Sequence, residues 1–249
     1  MGREKKEGRT LAFTWTQERI RWYLDASERT DFHTRLTDYI RPYVRPEDHL
    51  CDLGCGLGRV SLALAKDVAK VTCVDTDPRV LAVVERDAAR LGMGNLVTCA
   101  CEAAELQESF DVGLMVYFGT PFSLMEACLK KTRRVLLRVM DRPGGDRPLQ
   151  RRARETPEAV CQALETKGYA VTPIQGTLGF HQPLRSREEG AAFLACSYPQ
   201  ATSQEIQTVL RERLEETGDG EFPYRLPKVR PITLLVVPVP PNGHMQGKP

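Results

Sequence analysis

No uninterrupted apolar stretch in this chain of 249 residues approaches the length that crosses a bilayer, so a membrane-spanning protein is not expected. No apolar core stands behind the charged start Met1-Gly2-Arg3-Glu4-Lys5-Lys6-Glu7-Gly8, so a signal peptide is not read there and a cytoplasmic location is expected. An excess of one charge is also missing. The formal net charge is +2, too mild to argue for nucleic acid. No Gly-Lys-Ser/Thr follows a glycine turn, which excludes a Walker loop. Eight cysteines occur, at 51, 55, 73, 99, 101, 128, 161 and 196, yet none forms a Cys-x-x-Cys pair. Most fall in expected strands or the glycine turn, where cysteine serves as a small apolar residue, and no metal centre is expected. A thiol-rich pocket for a soft metal or metalloid is the alternative. Histidines number four. His49 and His244 read as bystanders, and no carboxylate pair or nucleophile–histidine arrangement stands out.

What is present begins at His49-Leu50-Cys51-Asp52-Leu53-Gly54-Cys55-Gly56-Leu57-Gly58-Arg59-Val60, which reads as a buried strand, a glycine turn and a helix start. Asp75 follows at the end of Lys70-Val71-Thr72-Cys73-Val74-Asp75, a second strand. A glycine turn after one strand and a carboxylate at the tip of the next is how an open α/β sheet holds an adenosine. Glycine lets the backbone approach a ligand where a β-carbon would collide. The carboxylate can accept hydrogen bonds from both ribose hydroxyls. The spacing is G-x-G-x-G, and Arg59 stands where a dinucleotide fingerprint needs its third small residue. Asp52 just ahead would repel a pyrophosphate. It suits a ligand carrying an ammonium and a sulfonium.

This segment resembles motif I of the class I S-adenosylmethionine-dependent methyltransferases. The resemblance implies that Gly54, Cys55, Gly56 and Gly58 line the methionine and ribose part, that Asp52 lies near the methionine ammonium, and that Asp75 with Thr76 meets the ribose. Asp77-Pro78 then caps a helix with apolar Val80, Leu81, Val83, Val84 and Leu91. Asn95 to Cys101 reads as a third strand. Glu102-Ala103-Ala104-Glu105-Leu106 looks like the family's "D-A-x-x-L" segment, which places Glu102 and Ala103 at the adenine. Phe110 to Phe118 reads as a fourth strand with Val116 at the cofactor and its tip at the reaction centre. The resemblance covers roughly residues 47–175. It implies an α/β fold: a doubly wound Rossmann-like methyltransferase sheet, mostly parallel with an antiparallel last strand, plus an N-terminal helical cap and a helical insertion before the last strand.

The expected organisation is a disordered 1–10, a helical cap over 11–45, a cofactor-binding core over 46–176, a helical insertion over 177–227, a last strand within 228–239 and a disordered tail over 240–249. The segment from Thr14 to Arg45 holds both tryptophans and three of the seven tyrosines, Tyr23, Tyr39 and Tyr43. These rings either pack the helices onto the sheet or form a lid that excludes water. The helix 157–168 is capped by Thr156 with Pro157 first. The sixth strand is read over Tyr169–Gln175 and the last over Val229–Val237. Two helices are read in the insertion, Arg187–Ser197 and Ser203–Glu216. An insertion there hangs over the carboxyl ends of the strands and reads as the second half of a substrate lid.

Methyl transfer needs positioning more than acid–base help, so the fold has little diagnostic catalytic motif. Tyr117, at the tip of the fourth strand, is a candidate to hydrogen-bond the acceptor or contact the donor methyl, or else a wall residue. His33 and His181 are candidate bases near neutral pH or ordinary hydrogen-bonding histidines. Val116-Tyr117-Phe118-Gly119-Thr120-Pro121 lacks the (Asp/Asn)-Pro-Pro-(Tyr/Phe) loop that grips planar nitrogens. A fifth strand is read over Arg134–Met140, and Arg138, Arg142, Arg147, Arg151, Arg152 and Arg154 cluster around Pro143-Gly144-Gly145 after it, as a solvated loop or a site for an anionic substrate or RNA backbone. The expectation is therefore an S-adenosyl-L-methionine-dependent methyltransferase releasing S-adenosyl-L-homocysteine and acting on a small-molecule acceptor, without nucleic acid or membrane as partner. An RNA or protein methyltransferase using the 138–154 loop, and a non-catalytic cofactor-binding protein, are the alternatives.

Overall fold

A computed structural model describes residues 14–142, 149 and 155–240. The disorder expected at 1–10 and from 241 onward lies outside the described residues. So do Pro143-Gly144-Gly145 and the arginines at 147, 151, 152 and 154.

Among the described residues ten strands occur in chain order: β1 (His49–Leu53), β2 (Lys70–Asp75), β3 (Leu96–Ala100), β4 (Phe110–Val116), β5 (Thr132–Asp141), β6 (Thr172–Gly179), β7 (Gln182–Leu184), β8 (Glu215–Glu216), β9 (Tyr224–Leu226) and β10 (Val229–Pro238). Seven of them form one sheet in the order β3-β2-β1-β4-β5-β10-β6. β10 runs antiparallel to both its neighbours, and the other ladders are parallel. The order reverses between β1 and β4, which opens a crevice at the carboxyl ends of the strands. Leu50, Cys51 and Leu53 of β1 are fully buried, because a parallel strand covered on both faces reads as a continuous apolar run.

Helices cover both faces. α1 (Gln17–Glu28), α2 (Phe32–Ile40), α3 (Arg59–Leu64) and α4 (Pro78–Arg90) precede β3, and α5 (Phe122–Leu129) and α6 (Pro157–Thr166) follow β4. Phe32, Leu36, Ile40, Val60, Leu64 and Val84 pack one face of the sheet. Met125, Leu129, Val160 and Leu164 pack the other. The doubly wound, mostly parallel sheet with an antiparallel last strand is thus the architecture that forms. The Asp77 side chain accepts from Arg79 N–H at 3.0 Å and starts α4 at Pro78.

Two local readings are corrected. The sixth strand is not Tyr169–Gln175 but Thr172–Gly179, because its register is set by pairing with β10 from Val229↔Gly179 to Val236↔Thr172. The second insertion helix, α8 (Ser203–Arg213), stops short of Glu216. Glu215 and Glu216 form β8 instead, paired to β9 with a Glu215–Arg225 ion pair across the ladder. The insertion therefore holds a small sheet, β7-β9-β8, beside α7 (Arg187–Ser197) and α8. It has its own core of Leu184, Leu194, Tyr198, Ile206, Val209, Leu210 and Leu226.

The N-terminal helix is clasped to this insertion. Trp22 Nε1 donates to Glu189 Oε1 at 3.1 Å, and Arg21 pairs with the same oxygen at 2.8 Å. Gln182 Nε2 donates to the Trp22 carbonyl at 3.0 Å. Arg185 bridges to Asp25 at 2.7 Å, and Arg29 reaches Asp219 and Glu221 at 2.8 and 2.6 Å. Each exposed pair contributes little alone. Together with the buried Trp22 and Gln182 they tie α1 to β7 and α7.

Candidate functional site

The glycine turn has the conformation that its residues permit. Gly54, Gly56 and Gly58 have φ of +72°, +52° and +61°. A β-carbon on Gly54 would collide with the Phe118 ring, and one on Gly58 would lie 2.7 Å from a Val84 methyl. Trp15 lies over Gly56, where a β-carbon would stand 3.1 Å from its ring. The backbone is thus closely covered by side chains from α4, the β4 tip and the N-terminal segment. Gly58→Ala is expected to destabilise the protein by about 2–3 kcal/mol, lowering Tm by roughly 5–10 °C, because left-handed backbone and a Val84 collision add. Calorimetric melting of the variant measures it, and an unchanged Tm would remove the close-approach argument.

Asp52 is buried beneath this turn. Its Oδ2 accepts from Ser61 Oγ at 2.6 Å, while Oδ1 has no partner. Burial pushes its carboxyl up to about 7, with the Ser61 hydrogen bond opposing and the Asp75 charge adding to the rise. A buried, half-satisfied carboxylate is costly unless something cationic meets it. Asp75, at the tip of β2, accepts from Gly56 N–H at 2.9 Å through Oδ2 and from Asp77 N–H at 3.0 Å through Oδ1. It locks the glycine turn to the start of α4 and retains free lone pairs on both oxygens.

The other cofactor candidates are placed as follows. Gly54 and Cys55 N–H both donate to the Val74 carbonyl, at 2.8 and 2.9 Å. The Cys55 thiol turns inward, where its hydrogen bond with Cys73 and burial raise its pKa. Thr76 is exposed beside Asp75. Glu102 is exposed and Ala103 buried in the turn after β3, and Glu105 N–H donates to the Glu102 carbonyl at 2.9 Å. Val116 is half-buried at the end of β4.

Tyr117 follows it, the sole non-glycine residue with left-handed φ, +53°, among the described residues. Such backbone costs on the order of 1–3 kcal/mol and persists only where surroundings impose it. Here the Arg230 guanidinium lies 3.7 Å from the centre of the Tyr117 ring. Arg230 is held in turn by Asp141 Oδ1, which accepts its Nε at 3.0 Å and Nη2 at 2.6 Å. The Tyr117 hydroxyl is buried with no hydrogen-bond partner, and burial pushes its pKa up.

His33 lies in the same aromatic cluster. Its Nε2 is 2.9 Å from the Tyr23 hydroxyl. Phe180 packs against the rings of Phe32, Tyr23 and His33 at 4.7, 5.4 and 5.6 Å. Burial, reinforced by Arg59 and Arg230, holds His33 down at about 3, so it is neutral at pH 7 and weakly basic. Burial pushes Tyr23 up to about 12. His181 is engaged elsewhere. Its Nδ1 accepts from Lys228 N–H at 3.0 Å, which fixes the turn into β10, and burial lowers its pKa.

Arg230 and Asp141 went unread in the sequence as site residues. β10 is antiparallel, so its first residues share an edge with the carboxyl ends of β4 and β5. An arginine at the mouth of an otherwise apolar strand was the available signal. Arg138 lies within the fifth strand as read, an interior residue of β5, 3% exposed, bonded to Glu155 at 2.9 Å and to Met125 Sδ at 3.3 Å, so it takes no part in a solvated loop. Arg142 Nη1 donates to Gln175 at 3.0 Å.

The donor set fits S-adenosylmethionine. An unpaired buried carboxylate oxygen, a left-handed glycine turn and an acidic strand tip lie together at the carboxyl ends of β1 and β2. A family profile described as a methyltransferase domain matches residues 50–145. The tRNA (guanine(26)-N(2))-dimethyltransferase of Methanoregula boonei is 32% identical over 114 residues, which is 45% of this chain and 30% of that protein. A probable cobalt-precorrin-6B C(15)-methyltransferase (decarboxylating) of Methanobrevibacter smithii is 33% identical over 54 residues, 22% of this chain and 29% of that protein. The chain thus spans under a third of the length of these curated relatives. The magnesium protoporphyrin IX methyltransferase of Synechocystis PCC 6803, solved with bound SAM, superposes with a TM-score of 0.51 at 13% identity, covering 90% of this chain and 85% of that one. With the profile match, the sheet order and the glycine turn in agreement, the chain carries a methyltransferase domain over residues 50–145 and has the Rossmann-like methyltransferase fold.

Proposed function

We propose that this chain transfers the methyl group of S-adenosylmethionine to a small-molecule acceptor seated beside Tyr117, at the edge where β4, β5 and β10 meet. The observation that carries the reading is Tyr117 itself, with left-handed backbone, a ring clamped under Arg230 and a buried hydroxyl without a partner. Strain and an unsatisfied donor together mark a place organised for something else to bind.

Asp52 pairs with the methionine ammonium, Gly54, Gly56 and Gly58 let the backbone approach, and Cys55 shapes the turn. Asp75 and Thr76 hold the ribose, Glu102 and Ala103 the adenine, and Val116 lines the floor under Tyr117. When bound, S-adenosylmethionine supplies a methyl carbon activated by its sulfonium. The Tyr117 hydroxyl donates a hydrogen bond to the acceptor and orients it. Neutral His33, through Tyr23, keeps the aromatic wall in place rather than taking a proton at neutral pH. Trp15 and the clasped insertion exclude water as a lid.

Support for a small acceptor comes from the aromatic cluster and from the absence of an (Asp/Asn)-Pro-Pro-(Tyr/Phe) loop after β4. One curated relative is, by its name, a probable methyltransferase of cobalt-precorrin-6B. An RNA acceptor is the second reading, favoured by the tRNA-modifying relative. The test is methyl-labelled S-adenosylmethionine with a fractionated extract of the source cells. Label in the small-molecule ultrafiltrate, reduced about tenfold or more by Tyr117→Phe, is expected from the loss of one orienting hydrogen bond. Label confined to RNA, with binding that weakens steeply with salt, would replace this reading with the second.

A further inference from the structure

β3 ends in Thr98-Cys99-Ala100 and is followed at once by Cys101, so the two thiols stand two residues apart on one side of the chain. Extended backbone would separate such residues by about 6–7 Å. Here Cys101 N–H donates to the Cys99 carbonyl at 3.2 Å, a three-residue turn that curls the strand end. The two Sγ atoms approach to 3.2 Å. A disulfide bond is about 2.05 Å long, so little more than about 1 Å separates this pair from closure. Both cysteines are half-buried, whereas Cys51, Cys73 and Cys128 are fully buried. The pair opens directly into the Glu102–Glu105 turn, and Ala103 and Leu106 of that segment pack into the same apolar cluster as Cys99 and Cys101.

We propose that Cys99 and Cys101 are a closable dithiol at the adenine end of the crevice, oxidised by exchange with a small dialkyl disulfide, and that closure shifts the Glu102–Glu105 turn and weakens the hold on adenosine. The second clause rests on the cofactor reading given above. One cysteine thiolate attacks a sulfur of the small disulfide and expels a small thiolate, leaving a mixed disulfide. The other cysteine's thiolate then attacks the protein sulfur and expels the second small thiolate. One S–S bond breaks and one forms. The cysteines lose two electrons and two protons, and the small disulfide becomes two thiols. Burial, the Cys99 contact and the charges of Glu105 and Glu102 push the Cys101 thiol up to about 11, so exchange accelerates as pH rises.

The test equilibrates the full chain with oxidised and with reduced glutathione, then reads intact mass, linked peptides and S-adenosylhomocysteine affinity by calorimetry. Expected are a mass lower by two hydrogens, a 99–101 link, and affinity about tenfold weaker and restored on reduction, with Cys101→Ser showing none of these changes. An unchanged mass, a link such as 55–73 instead, or closure without change in affinity overturns the proposal. Failure of the reduced protein to bind S-adenosylhomocysteine would sink the cofactor reading, while the mass and link data would still decide whether the dithiol closes.

Discussion

Lowering the pH from 7.5 to 5.5 is expected to weaken S-adenosylhomocysteine binding by roughly 20- to 30-fold, with a slope near one decade per unit below pH 7 and a plateau above it. The cause is Asp52, whose carboxyl burial lifts to about 7 in the free protein. The ligand's ammonium needs the ionised form opposite it, so at acid pH binding must first release a proton. The same shift has a stability consequence of opposite sense. The folded pKa lies above the ordinary carboxylate value, so the stability that Asp52 contributes is full below about pH 4 and is lost as pH rises through about 7. The unliganded protein should gain stability from this group on acidification while ligand affinity falls. Calorimetry in two buffers of different ionisation enthalpy measures both the affinity and the proton released. Asp52→Asn should bind more weakly above pH 7 and lose the pH slope. A parent affinity that stays flat across this range would remove Asp52 from the ammonium site.

Asp75→Ala is expected to weaken S-adenosylhomocysteine by on the order of 100-fold or more, since two charge-assisted hydrogen bonds to the ribose are removed at about 1.5–3 kcal/mol each. The variant also strands the Gly56 and Asp77 amides that Asp75 holds at 2.9 and 3.0 Å, so a modest fall in Tm should accompany it. Asp75→Asn separates the two effects. It preserves the size of the side chain and one acceptor, and should recover much of the stability and little of the affinity. Circular dichroism checks that both variants are folded. Affinity within about threefold of the parent for Asp75→Ala would contradict the ribose assignment.

The order of glycine turn, Asp75, the Asp77-Pro78 cap and the fourth strand, read over Phe110–Phe118 and ending at Val116, was legible in the chain because each is local chemistry. Glycines at 54, 56 and 58 take left-handed backbone that other residues resist, a short acid followed by proline starts a helix, and strands covered on both faces read as apolar runs. These features carried the family resemblance that implied the sheet and its crevice. Segment ends were legible only where such a signal stood. Arg187–Ser197 begins at a serine cap, whereas β6 and β8 take their limits from the strands they pair with.

What the tertiary structure alone decided is who meets whom at the crevice. Arg230 comes to Tyr117 because β10 inserts antiparallel between β5 and β6, across more than a hundred residues of chain. His33 is neutral because α2 buries it against Phe180, with the charges of Arg59 and Arg230 adding to the effect. His181 is turned to the Lys228 backbone, and Arg138 is buried in β5 against Glu155. Burial, charge environment and strand neighbours depend on long-range packing, which a residue's own type and spacing do not encode. Backbone preference and capping depend on the residue itself, and those are what the amino-acid order determined by itself.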